Sequence, residues 1–128
     1  MAEFSDYMEN KIIEVMRATT FTAAAAYVAL YTVTPTDAGG GTEVSVTGTA
    51  YARQLAGLSV ASGGLSSNAA DITFPTATAD WGTVVACALF DAVTAGNMYM
   101  WSALDANKTV ASGDTFKINA GDLDVTVA

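Results

Sequence analysis

The sequence predicts a mainly β domain, an antiparallel two-sheet β-sandwich or jelly roll with one α-helix at its N-terminus. Three observations lead there. Short apolar and β-branched runs recur at a spacing of about ten residues, turn residues separate nearly all of them, and helical periodicity is confined to the first part of the chain. The 128 residues suit a single hydrophobic core, and 52% hydrophobic against 14% charged residues is the composition of a folded domain. The expected division is a helical docking segment over residues 1–20 and a β-sandwich over residues 21–128.

The helix is expected over residues 5–18. Ser5 is an N-cap, and Asp6 and Glu9 place negative charge in the first turn, where the helix dipole favours it. Met8, Ile12, Val15 and Met16 follow at i, i+4, i+7 and i+8, which sets them on one face. That face either docks on a neighbouring subunit or packs on its own domain.

The run FTAAAAYVALYTVTP mixes helix-favouring alanines with strand-like alternation, and Tyr27 to Thr32 is read as β. TPTDAGGGTE, with Pro35, Asp37 and three glycines, is a loop; without a GK[ST] ending or a following helix it is not a phosphate cradle. Further strands are expected at residues 51–58, 71–74, 83–90, 98–104, 115–118 and 123–127, with short edges at 44–46 and 108–110. The turns between them are SGG at 62–64, SSN at 66–68, AGN at 95–97, DAN at 105–107, SGD at 112–114 and AGD at 120–122. A parallel sheet would need crossover helices that the sequence does not offer.

The stretch DITFPTATADWG marks a corner. Ile72 and Phe74 share a face, Pro75 lacks the donor a central ladder needs, and Trp81 opens the next strand as a packing anchor whose indole N–H wants a partner at the rim. A ligand-stacking role for Trp81 is the alternative.

Chemistry is mostly excluded by what is missing. There is no histidine, which removes the usual general base, the paired nucleophiles and the commonest zinc ligand. Asp80, Asp105, Asp114 and Asp122 lie beside small residues at turns, where Asp caps backbone amides. DAN is a fragment of a calcium-loop pattern without its glycine and glutamate. The expectation is therefore no enzyme, no cofactor and no metal. The net charge of −8, with five dispersed Lys and Arg, argues against nucleic acid. No apolar run reaches the roughly 20 residues that cross a bilayer, and the acidic start MAEFSDYMEN lacks signal-peptide features, so no membrane partner is expected and synthesis in a cytoplasm is. Cys87, inside TVVACALF, reads as a buried thiol.

Arg53, in GTAYARQ, either pairs with a carboxylate across the sheet or anchors a partner subunit. Met98, Tyr99, Met100 and Trp101 load both faces of one strand with bulk, so its outer face must be covered by the N-terminal helix or by another chain. Met8, Ile12, Val15, Met16, Arg53, Met98, Tyr99, Met100 and Trp101 are thus the candidate interface.

SDYMENKIIEVM, YVALYTVTPTDAGGGTEVS, YARQ, ITFPTATADWGTVVACALFDAVTAGNMYMW and KTVASGDTFKINAGDLDVTV, in that order, resemble small structural proteins of tailed bacteriophages, of tail-fibre-like or capsid-decoration-like type. The resemblance implies a virion component present in many copies and without catalytic residues, made in the host bacterial cytoplasm. Its partners would be further copies of itself, as a homotrimer, and other virion proteins such as the major capsid protein or tail proteins. The absence of shaft-building repeats or heptads favours a decoration or cement protein, with a tail or tail-fibre role as the alternative and a carbohydrate-binding sandwich, stacking sugars on Trp81, Tyr99 or Trp101, behind both.

Overall fold

The structure, a computed structural model, describes residues 3–127; residues 1, 2 and 128, the ends of the two expected segments, lie outside the described residues. In chain order the elements are β1 (Glu3–Phe4), α1 (Asp6–Met16), β2 (Tyr27–Val33), β3 (Thr42–Glu43), β4 (Gln54–Leu55), β5 (Leu65–Ser67), β6 (Ile72–Thr73), β7 (Gly82–Phe90), β8 (Met98–Val110), β9 (Lys117–Ile118) and β10 (Asp124–Thr126). The protein is mainly β and antiparallel with one N-terminal helix, as the sequence predicts. The principal sheet has the order β1-β8-β7-β2-β3, with β4 also paired to β2, and two small ladders join β5 to β10 and β6 to β9.

The core lies between the principal sheet and these ladders. Val28, Leu30, Val84, Leu89, Met100 and Val110 from the sheet pack with Ile72, Phe74 and Phe116. A second cluster, Ala29, Tyr31, Ala86, Ala88, Phe90 and Met98, occupies the opposite face of the sheet. Burial on both faces explains why β2 reads as a nearly continuous apolar run, where a half-wet strand would alternate. The pairing of β7 with β8 shifts register between Val84 and Ala86, where β8 carries the extra residues, and Val84 and Ala86, two residues apart, lie in different clusters.

The corner at residues 71–82 is scaffold. Phe74, 1% exposed, and Trp81 meet Tyr51 in a ring cluster, with Tyr51 and Trp81 edge to face at 5.4 Å and 83°. The Trp81 indole N–H donates to the Thr49 carbonyl at 2.9 Å, the rim partner it was expected to need. At 5% exposure within the core cluster, Trp81 has no ring face free to stack on a sugar.

Several expectations are corrected. The strand expected over 51–58 narrows to β4, because Ala50 and Gly57 take positive φ and Tyr51 and Arg53 turn inward. The 44–46 edge shifts to β3; Val44 still donates to the Leu30 carbonyl, and then Val46 leaves for solvent. SSN at 66–68 is largely strand β5, since the turn falls earlier, where Ser62 and Leu65 exchange backbone hydrogen bonds around Gly63 and Gly64. DAN at 105–107 does not separate two strands. β8 runs through it, and residues 104–107 bulge opposite Val85, because Ala86 pairs with Ala103 while Val84 pairs with Lys108. The helix ends at Met16, and β1 is an added strand.

Candidate assembly surface

The N-terminal arm, β1 and α1, lies along the start of β8. Glu3 pairs with Trp101 and Phe4 with Met100. Ser5 caps α1 by accepting from the Met8 amide at 3.2 Å, its own amide donates to the Tyr99 carbonyl at 3.0 Å, and its hydroxyl donates to the Met98 carbonyl. One buried serine thus starts the helix and joins it to β8. The Asp6 amide adds a bond to the Asp37 carbonyl at 2.9 Å.

Beyond those anchors the arm is lightly held, and no residue of α1 is buried. Met8 and Ile12, half-buried, line a cavity of about 720 Å³ that also borders Phe4, Leu58, Leu89, Tyr99 and Met100. Val15 and Met16 face solvent at 51% and 74% exposure, joined by Ile13 at 51%. The expected apolar face therefore divides: its first half leans on the domain and its second half is uncovered.

Met98 and Met100 are buried, on opposite sides of the sheet, while Tyr99 and Trp101 are half-buried. The Tyr99 hydroxyl donates to the Ala24 carbonyl at 3.0 Å and accepts from the Ala24 amide at 3.1 Å, and burial pushes it above the usual phenol range. The Trp101 indole N–H donates to Asp37 at 3.2 Å. The arm covers part of this bulk, one of the two coverings expected from sequence.

Arg53 is 8% exposed and used within its own chain. Nε and one terminal nitrogen donate to Glu43 at 2.9 and 2.8 Å, and the other terminal nitrogen donates to the Ala92 and Ala95 carbonyls at 3.0 and 2.7 Å. The guanidinium lies 3.8 Å from the Phe90 ring centroid. Burial works against its charge, but the Glu43 carboxylate more than offsets this and holds its pKa above the ordinary value. Tyr51 joins the network, donating to Glu43 at 2.6 Å and accepting from the Leu30 amide at 3.0 Å; burial, reinforced by Glu43, pushes its phenol far up. Of the two sequence readings for Arg53, the ion pair across the sheet is the one found, and little of the side chain is left for a partner.

Of the four aspartates expected as turn caps, Asp80 and Asp114 cap backbone amides, whereas Asp105 lies within β8; Asp71 and Asp91 are further caps. Asp80 accepts from Ser112, Asp114 from Ala111, Asp71 from Ala120 and Asp91 from the Asn97 amide at 2.7 Å. Among the described residues no group of three or more Cys, Asp or Glu gathers as metal ligands, and no described helix is long and apolar enough to cross a membrane. Burial pushes the Cys87 thiol up to about 11, which makes it a poor nucleophile near neutral pH.

The structure thus brings Met8, Ile12, Tyr99 and Met100 together at one groove and leaves Val15 and Met16 beyond its end. Sequence reasoning missed Phe4, Leu58 and Leu89 at that groove. Leu89 was legible as a core residue, but nothing local tied it to the arm.

The profile of a family described as podophage GP4 fiber I protein gp80 matches residues 3–126, and the chain belongs to that family of fibre-type phage structural proteins, a virion component. No curated protein matches the chain.

Proposed function

We propose that this protein is a non-enzymatic structural subunit of a podophage fibre, working as a homo-oligomer that meets its neighbours through the N-terminal arm. The observation that carries the reading is the family match over residues 3–126. The uncovered apolar half of α1 and the adjoining groove support it, because an acidic chain has little reason to keep Ile13, Val15 and Met16 in water unless they meet another surface. The turn-capping roles of Asp71, Asp80, Asp91 and Asp114 support the absence of a reaction of its own.

The family's description as a fibre protein weighs toward the fibre over the capsid-decoration role expected from the lack of shaft repeats. Other fibre or tail proteins are the further partners, and a trimer is the expected oligomer. Gold-labelled antibody on intact particles tests the location: label on fibres is expected, label over the shell would instead favour decoration, and unlabelled particles would remove the reading. Light scattering of the purified chain is expected to give a multiple of the subunit mass.

A further inference from the structure

We infer that the arm is exchangeable, so that residues 3–16 of one copy occupy on a second copy the seat they occupy on their own domain. This rests on the reading of the protein as an assembled subunit and names how the copies join. What would cover the seat is already present in the chain: the β8 edge at Met100 and Trp101, the carbonyls of Met98 and Tyr99, and the apolar groove are contacted by the chain's own arm. Exchange of an identical element between copies re-creates every such contact, and only the hinge must change its path.

Three features mark this arm as the element to exchange. Its hold is small, two strand pairs, a few backbone bonds and the hydroxyl of the buried Ser5, with no buried helical residue and a cavity of about 720 Å³ left under Met8 and Ile12. Its hinge is exposed: residues 17–20 and 22–25 face solvent, and the Tyr99 hydroxyl pins only the far end, at Ala24. The seven residues from Arg17 to Ala23 span roughly 25 Å when extended. The hinge is also strained, because Ala18 turns the chain back with φ +64°, a left-handed conformation that disfavours alanine. Extending the hinge releases that turn, and strained hinges favour swapping.

The test places one cysteine on each side of the arm's seat. Glu3 and Trp101 are paired across an antiparallel ladder, where Cα separations of about 4.5–5.5 Å fall within disulfide range. In the full chain carrying Cys87→Ala, Glu3→Cys and Trp101→Cys, oxidation of the assembled protein is expected to yield covalent dimers and larger species on non-reducing denaturing gels. A light-scattering oligomer whose crosslinks are all within single chains overturns arm exchange and leaves the assembly reading standing; a chain that never oligomerises removes both. A second measurement avoids dependence on the cysteine variant: deleting residues 20–22 shortens the return path and is expected to raise the oligomer fraction several-fold, whereas Ala18→Gly, which relaxes the turn, is expected to lower it. No change in either variant counts against exchange.

Discussion

The ring cluster of Tyr51, Phe74 and Trp81 and the N-terminal arm are built on opposite terms. In the first, large side chains enclose one another and every polar atom has a partner: the Trp81 indole bonds Thr49, the Tyr51 hydroxyl bonds Glu43 and Leu30, and Arg53 ties Glu43 to the 92–95 loop. In the second, an amphipathic helix buries nothing fully and shows half of its apolar face to water. The contrast separates residues that hold the domain's shape from residues free to be used by a neighbour. It predicts that substitutions in the first region change stability and those in the second change association.

The largest effect is expected at the cluster itself. Trp81→Ala empties a site enclosed by two rings and should lower unfolding free energy by about 3–5 kcal/mol in denaturant titration. Arg53→Met should follow at about 2–4 kcal/mol, because Glu43 and two loop carbonyls lose their donors together; Arg53→Lys keeps the charge and should lose less, but still loses something because an ammonium cannot reproduce the fork. A Lys variant as damaging as the Met variant would show that geometry, rather than charge, dominates.

Gly96→Ala should cost about 2 kcal/mol. Its φ of +78° suits glycine, and an added Cβ would lie 2.4 Å from an Asp91 carboxylate oxygen. That carboxylate also sets a pH dependence. Burial raises the Asp91 pKa, but hydrogen bonds from the Asn97 amide and side chain outweigh it and hold the value below the usual range. Asp71 is likewise lowered, chiefly by the Ala120 amide and then by Lys117. Both depressed values stabilise the folded state above the ordinary carboxylate range near pH 4, and the contribution is lost as pH falls through the lower folded values. The midpoint of thermal unfolding should therefore drop as pH falls below about 4, and Asp91→Asn should flatten that drop.

The smallest effect on stability is expected on the arm. Val15→Lys and Met16→Lys touch exposed positions and should alter unfolding free energy by no more than about 0.5 kcal/mol while weakening self-association in light scattering. A large loss of stability in either would mean that the arm belongs with the core.

Local rules reached much of this fold and less of the candidate surface. Ser5, Asp6 and Glu9 announced the helix start, and the apolar runs around Leu30 and Cys87 announced the central strands, because capping and alternation act within a few residues. The strand expected at 51–58 failed for a non-local reason: Tyr51 and Arg53 turn inward to meet Leu30, Glu43 and the 92–95 loop, and strand propensity around Tyr51 carries no trace of those partners. DAN at 105–107 carried true turn chemistry, yet β8 absorbed it as a bulge. At the surface, Met8 and Ile12 were visible from spacing, whereas the division of the helix into a leaning half and a wet half depends on where β8 and Leu58 arrive from elsewhere in the chain.

A side-chain-resolution reconstruction of the intact particle tests the central claim most directly. The account predicts Ile13, Val15 and Met16 buried against another protein chain, with the Trp81 cluster unchanged inside each copy. Density showing those three side chains in solvent, on a subunit whose neighbours contact only its body, would contradict it.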